Sequence, residues 1–206
     1  MDLVIGTTNL AKGRELAELL EPLGIRVRTL HDFAGALDVV EDGSTFAENA
    51  CKKAAQQARH LDRWVLADDS GLEVDALDGA PGIYSARFAG EQATDAENNA
   101  RLLEELTETP WGKRTARYYC HVAVADRTGT IRGESSGICR GRIRTEPSGS
   151  NGFGYDPLFE LREYHRTFGQ LGPAVKAALS HRARATRAIV PQLRVLVADE
   201  EGEASN

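Results

Sequence analysis

Two neighbouring carboxylates, Asp68 and Asp69, follow an apolar run that begins at Trp64. Adjacent carboxylates repel each other, and a divalent cation or water relieves part of that repulsion. Mg²⁺ typically takes one or two carboxylates together with phosphate oxygens, and ligand sites gather where the strands of an α/β sheet end. The pair therefore indicates a magnesium site, and a solvated turn in which one Asp caps the next segment is the alternative.

A polar turn connects an apolar strand pattern at residues 3–5 to a helical pattern. It consists of Thr7, Thr8, Asn9, Leu10, Ala11 and Lys12. Free backbone N–H groups and the positive end of a helix dipole meet at such a turn, which favours phosphate. The Walker pattern is absent, so a capped helix start with an exposed lysine remains open.

The loop at residues 151–157 combines glycines with aromatic side chains. Gly152 and Gly154 allow close approach of a ligand to the backbone, and Phe153 and Tyr155 offer ring faces on which a base could stack. An aromatic-anchored turn explains the same residues.

Three shorter motifs carry weaker signals. Ser180, His181 and Arg182 could cap a helix and present two donors, although a surface pair is the alternative. Lys53 and Glu41 stand in charged doublets that also suit a solvated helix face and a polar loop.

Composition excludes several classes of protein. The 206 residues hold 25 Lys and Arg against 31 Asp and Glu, a net charge of −6, which argues against a partner that is long nucleic acid. No apolar run approaches the roughly 20 residues of a membrane-spanning helix. The first residues carry no basic or long apolar segment, so we expect no signal peptide and a cytoplasmic location.

The cysteines Cys51, Cys120 and Cys139 form no C-x-x-C pair. A structural zinc site with that spacing is therefore not indicated, and the odd number suits a reducing compartment. We expect all three to be structural.

Hydrophobic periodicity predicts an α/β protein with a mixed sheet. Strand patterns occupy residues 3–5, 25–30, 64–67, 114–125, 130–139 and 158–161. Helical patterns occupy about 10–23, 46–61 and 95–106, and further ones follow from Pro173, with a kink expected at Pro191. Capping boxes begin at Thr45 and Thr94. We expect a single domain over residues 1–198 and a disordered acidic tail over 199–206.

These motifs occur in a specific order along nearly the whole chain, at residues 7–16, 41–50, 67–90, 151–157 and 180–182. In this combination the sequence resembles the inosine triphosphate pyrophosphatase family. The resemblance implies a long mixed β-sheet flanked by helices, with two lobes around an active-site cleft, and a homodimer. It further implies hydrolysis of ITP, dITP or XTP to the monophosphate and pyrophosphate, which keeps these nucleotides out of DNA and RNA.

The resemblance also implies roles for individual residues. Asp69 is the expected catalytic residue, and Glu41, Asp69 and Asp68 are the expected ligands of one Mg²⁺ per subunit, with Mn²⁺ as a substitute. The implied contacts of the substrate are Thr7, Thr8, Asn9, Leu10, Ala11, Lys12, Lys53, Ser70, Phe153, Gly154, Tyr155, Asp156, Lys176, His181 and Arg182.

Within the predicted phosphate cradle two positions depart from the family pattern, because Thr8 and Ala11 stand where glycine is usual. A Cβ at these places could narrow the phosphate cradle. Two rival functions remain: a related pyrophosphatase for other modified bases or pyrimidines, and a nucleotide sensor without catalysis.

Overall fold

The computed structural model describes residues 2–21 and 26–203. Within these residues the α-helices are α1 (Leu10–Leu20), α2 (Phe46–Leu61), α3 (Asp95–Glu105), α4 (Pro173–Leu179) and α5 (His181–Glu203). The strands are β1 (Asp2–Ile5), β2 (Arg26–Thr29), β3 (Trp64–Val74), β4 (Thr115–Ala125), β5 (Ile131–Ile143), β6 (Phe159–Leu161) and β7 (Arg166–Thr167).

The strands form one mixed sheet in the order β2-β1-β3-β4-β5-β6-β7. β1 pairs in parallel with both β2 and β3, whereas β6 pairs antiparallel with both β5 and β7. The hydrogen bonds from Asp126 N to Thr130 O and from Ile143 N to Arg114 O make β4 and β5 an antiparallel hairpin. The predicted α/β class with a mixed sheet is confirmed.

The described residues divide into two compact units. The first, unit 1, comprises those within 1–69, 120–137 and 182–206, and the second, unit 2, comprises 70–119 and 138–181. The two lobes and the cleft that the family resemblance implies stay a prediction.

Unit 1 has a core on each face of its strands, because successive strand residues point to opposite faces. On one face α1 and α5 pack, through Leu16 and Ile189 for example, against β1 and β4. On the other face the small residues Ala50, Ala54 and Ala58 bring α2 close to the strands. Neighbouring residues of one strand in unit 1 therefore face different helices.

Unit 2 is built around aromatic side chains. The Tyr118 and Phe159 rings lie 4.5 Å apart, and the Phe159 and Phe168 rings stack at 5.7 Å. Leu102 and Leu106 at the end of α3 complete this cluster. The aromatic core fixes the loop that precedes β6.

Of the two predicted capping boxes, one forms as predicted and the other forms as a variant. Thr94 and Glu97 bond reciprocally at the start of α3, as predicted. Thr45 accepts from the backbone of Glu48, but the Glu48 carboxylate bonds to Ser44 instead of returning to Thr45. The second box is therefore displaced by one residue.

The largest difference from the predicted elements concerns β3. The sequence predicts a strand that ends before Asp68, but β3 continues to Val74, so both carboxylates lie inside a strand. Charged residues are tolerated there because cations from distant segments pair with them, as described below. The carboxylates therefore do not form a solvated turn.

Other segments differ less. The predicted loop at 79–90 contains a 3₁₀ helix, Gly82–Arg87. α5 continues past Pro191 to Glu203, five residues into the predicted acidic tail. The predicted helix stop at Gly24 lies outside the described residues. Among the residues that are described, no helix combines the length and apolar character needed to cross a bilayer.

Thr94→Ala tests the cap of α3, whose first turn also holds Gly154 of the aromatic loop through Asp95. Loss of an N-cap oxygen typically costs about 1 kcal/mol, so the free energy of unfolding in urea should fall by about that amount. Thr94→Ser keeps the cap oxygen and should match the unchanged protein. Equal loss in both variants would show that the cap contributes nothing.

Candidate functional site

Asp68 is fully buried in β3 and is held by Arg182 of α5. Arg182 Nε lies 3.1 Å from Asp68 Oδ2, and Arg182 Nη1 also donates to Glu15 of α1. Burial alone would raise the pKa of Asp68, but the positive charges of Arg182 and Lys12 outweigh it, so the pKa lies well below its usual range. Asp68 is therefore an anion that ties α5 to β3.

Asp69 points to the other face of β3, toward α2. Asn49 Nδ2 donates to Asp69 Oδ2 at 3.2 Å, and Lys53 Nζ lies 3.6 Å from Asp69 Oδ1. The same ammonium lies 2.8 Å from Glu41 Oε2. One lysine thus joins two of the three carboxylates that the family resemblance assigns to a metal, Glu41 and Asp69.

The charges of this group perturb one another. Burial raises the pKa of Asp69, and Lys53 opposes that rise. Burial would lower the pKa of Lys53, but the carboxylates of Asp69 and Glu41 reverse the effect and raise it. The lysine is therefore a full positive charge within a nearly buried acidic group.

A small polar pocket in unit 1 brings several predicted residues together. Its lining includes Thr7, Thr8, Glu41 and Lys53. These residues come from the turn before α1, the segment before α2 and α2 itself. Hydroxyls, an ammonium and a carboxylate around one pocket suit an anionic ligand accompanied by a cation.

The turn before α1 is only partly the cradle that the sequence predicts. Asn9 Oδ1 accepts from the backbone N–H groups of Ala11 and Lys12, at 3.0 and 3.1 Å. Those two donors are therefore occupied by the helix cap. Thr8, Asn9 and Leu10 are exposed, Leu10 by 58%, so the turn itself is open to a ligand.

The backbone does not require glycine at Thr8 or Ala11, the two positions where the family usually has it. Among the described residues other than glycine, only Asp62, Asp78 and His165 have a positive φ. Thr8 and Ala11 therefore adopt conformations that any residue accepts.

In unit 2, Asp156 organises the aromatic loop. Its carboxylate accepts from Lys176 Nζ at 2.6 Å, from the backbone N–H of Phe153 at 3.0 Å and from the Tyr118 hydroxyl at 3.4 Å. Gly152 has φ of +77°, and a Cβ there would lie 2.0 Å from Asp156 Oδ2. Asp156 and Lys176 therefore serve first to fix this loop.

The aromatic side chains of the loop differ in exposure. Tyr155 is 4% exposed, and its hydroxyl donates to Ser85 O at 2.8 Å. The expectation of two open ring faces is wrong for Tyr155, because its ring belongs to the core of unit 2. Phe153 is half-buried, and Lys176 Nζ lies 4.2 Å from its ring centroid. The loop therefore offers Phe153 for stacking.

The remaining predicted contacts lie at the junctions of elements. His181 is 5% exposed and stacks on Tyr118 at 4.6 Å between ring centroids. Ser70 is half-buried in β3. Arg182 is 1% exposed within its ion pairs, so its predicted contact with a base stays a prediction.

Sequence reasoning assigned no role to Asn49, Glu15 or Tyr118. Asn49 and Glu15 lie within stretches that carry the family resemblance, and Asn49 interrupts the apolar stripe of α2. A polar residue on the buried side of an amphipathic helix is the signal that could have found it. Tyr118 gave no such signal, since an aromatic residue in a strand reads as core.

The fold and this group of residues define an α/β protein with a carboxylate–lysine site suited to phosphate and a divalent cation. Comparison with known proteins identifies the family. A sequence profile described as "Ham1 family" matches residues 3–192. The chain belongs to the Ham1 family.

Individual relatives are similar over nearly their full length. A dITP/XTP pyrophosphatase of Rhodopirellula baltica is 57% identical over 95% of this chain and 94% of the relative. A dITP/XTP pyrophosphatase of Desulforamulus reducens is 49% identical over 98% of this chain and 100% of the relative. The structure of a HAM1 protein from Coxiella burnetii has a TM-score of 0.85 at 38% identity, covering 94% of this chain and 98% of its own. The chain is accordingly a hydrolase of the pyrophosphatase class.

Arg182→Met tests the buried ion pair. Removing one partner of such a pair costs about 3–5 kcal/mol, because the other charge stays buried. The free energy of unfolding should fall by about that amount, and the added change Asp68→Asn should recover part of the loss. Arg162→Met, at an exposed arginine, is the control. A stability equal to that of the control would contradict the assigned role.

Proposed function

We propose that this protein hydrolyses the non-standard purine nucleoside triphosphates ITP, dITP and XTP to the monophosphate and pyrophosphate, and so keeps them out of DNA and RNA. Its family and the names of its relatives support this substrate class. The single observation that carries the proposal is the group of Asp69, Lys53 and Glu41 beside a polar pocket.

Glu41 and Asp69 would hold Mg²⁺ in this proposal. Both carboxylates lie within 4 Å of the Lys53 ammonium, so a cation already stands between them, and carboxylate oxygens are the ligands that Mg²⁺ prefers. The bound ion would supply positive charge against the phosphate oxygens. Asp68 bonds to Arg182 on the other face, so we assign it to electrostatic support of the site.

Unit 1 would bind the triphosphate. Lys12 and Lys53 supply positive charges, and the turn with half-buried Thr7 and exposed Thr8 lies at the positive end of α1. Thr7, Thr8 and Lys53 line a pocket, and their hydroxyl and ammonium groups can donate hydrogen bonds to phosphate oxygens. Local positive charge thus offsets the net negative charge of the protein.

The reaction would begin with attack of water on the α-phosphorus. Asp69 orients this water and accepts its proton, and Asn49 and Lys53 fix the carboxylate for that task. A bond forms between the water oxygen and the α-phosphorus, the bond from that phosphorus to the bridging oxygen breaks, and pyrophosphate leaves with the electron pair. Lys12 and Lys53 stabilise the charge on the leaving group.

Unit 2 would bind the base. Phe153 offers a ring face, and His181 and Lys176 supply donors near the loop that Asp156 organises. A donor aimed at position 6 pairs with the keto oxygen of hypoxanthine or xanthine, whereas an adenine amino group would leave that donor unpaired. Unpaired buried donors discriminate strongly between substrates. The homodimer and the cytoplasmic location stay predictions.

Asp69→Asn should lower pyrophosphate release from ITP by about 10²- to 10⁴-fold, the usual share of a general base. The measurement is pyrophosphate release with Mg²⁺ from ITP, dITP, XTP, GTP, ATP and CTP in parallel. The unchanged protein should strongly prefer the first three. Asp62→Asn, at an exposed position after α2, is the control and should retain full release.

Three other outcomes are informative. Release of orthophosphate without pyrophosphate would contradict attack at the α-phosphorus. Broad turnover would retain the chemistry but remove the argument for base recognition. Binding without turnover by the unchanged protein would favour the nucleotide sensor.

A further inference from the structure

Three potential metal ligands meet in unit 1, none of them among the residues assigned to substrate or Mg²⁺. Cys51 Sγ of α2 lies 3.2 Å from Glu134 Oε2 of β5, and His121 Nε2 of β4 lies 2.9 Å from the same oxygen. The sulfur, nitrogen and oxygen atoms all lie within 4.8 Å of one another. A thiol, an imidazole and a carboxylate thus converge from three separate elements.

The hairpin directs Glu134 toward α2 because its neighbours face α5. A Cβ at Gly133 would meet Gln192 of α5 at 2.6 Å, and Ser135 Oγ donates to Ala185 O at 2.8 Å. Alternation along β5 therefore turns Glu134 to the opposite face. The side chain of Gln192 also bonds both backbone groups of Glu134, at 3.2 and 2.9 Å, which fixes the strand at this point.

We propose that Cys51, His121 and Glu134 form a second metal site that binds Zn²⁺ or a similar divalent transition metal. Sulfur, imidazole nitrogen and carboxylate oxygen are the ligands of zinc, at about 2.3, 2.0–2.1 and 2.0–2.2 Å. A tetrahedral ion with those bonds requires ligand separations of roughly 3.3–3.6 Å. The separations of Glu134 Oε2 from Cys51 Sγ and His121 Nε2, 3.2 and 2.9 Å, need to widen by only a few tenths of an ångström, and the sulfur and the nitrogen lie within 4.8 Å of each other. Solvent would supply the fourth ligand, since the Glu134 side chain is 47% exposed.

The chemistry of this site differs from that of the carboxylate site. A thiolate and an imidazole favour borderline metals over Mg²⁺, which prefers oxygen alone. Burial, together with the Glu134 carboxylate, raises the pKa of the Cys51 thiol to about 12. Cys51 therefore carries its proton in the absence of metal. When the metal–sulfur bond forms, the S–H bond breaks and its proton passes to solvent.

The sequence separation of the three ligands explains why the spacing of the cysteines did not indicate a zinc site. The three ligands stand 70 and 13 residues apart in the sequence, outside any short metal motif. They meet only because α2 packs on the hairpin through Ala54 and Ala123. A bound metal would join α2 to β4 and β5 on the same face of the sheet as Asp69, but through side chains that the proposed reaction does not use.

Co²⁺ titration tests the proposal, with excess Mg²⁺ present to occupy oxygen-only sites. Binding through Cys51 should produce a thiolate-to-cobalt charge-transfer absorption that saturates at one ion per chain and disappears when Zn²⁺ is added. His121→Gln and Glu134→Gln should each weaken Co²⁺ binding at least about tenfold, since even an outer-shell partner of a metal is worth 10- to 100-fold. His31→Gln, at an exposed histidine, is the imidazole control.

The matched cysteine variants decide the source of the absorption. Cys51→Ala and Cys51→Ser should both abolish it, whereas Cys120→Ala should retain it. Cys120 is the necessary control because its sulfur lies 3.7 Å from Asp68 Oδ2. No absorption in the unchanged protein at saturating Co²⁺, or absorption that persists in both Cys51 variants, would overturn the proposal. Neither result depends on nucleotide hydrolysis, so the proposed function is tested separately.

Discussion

The structure depends on the burial of two consecutive carboxylates in one strand. Successive residues of a strand face opposite sides, so the side chains of Asp68 and Asp69 point to different helices. Arg182 of α5 serves one face and Lys53 of α2 serves the other. Because an unpaired buried charge costs several kcal/mol, these two helices are held on opposite faces of β3 by the same requirement.

The same requirement gives Asp68 and Asp69 different surroundings. Asp68 is completely enclosed by its ion pair, whereas Asp69 shares Lys53 with Glu41, and both Lys53 and Glu41 line a pocket. Unit 2 repeats the principle at Asp156, whose carboxylate joins Lys176 to the backbone of the aromatic loop. Buried ion pairs thus fix the backbone in both units. They also hold in place the side chains that line the pocket of unit 1 and the loop of unit 2.

Periodicity in the sequence was sufficient to predict α1, α2, α3 and most strands, because each buries one regular face. It failed at β3, where Asp-Asp-Ser-Gly is typical of a turn and only tertiary ion pairs make a strand possible. The partner of Asp68 lies 114 residues away, a distance that no local pattern reports. Tyr155 was assigned to a base for the same reason, since its hydrogen bond to Ser85 spans 70 residues. Motif order proposed the site residues, and the structure shows which of them are buried in ion pairs and which line a pocket.

The most direct test compares two adjacent lysines. Lys53 joins Asp69 to Glu41, whereas Lys52 pairs with exposed Asp42, and the measurement is kcat for pyrophosphate release from ITP by Lys53→Met and Lys52→Met. Lys53→Met should lower kcat by about 10²- to 10³-fold, the usual effect of removing one positioned electrostatic contact, whereas Lys52→Met should leave kcat near normal. Equal rates in the two variants would contradict the claim that the bridging lysine organises the site.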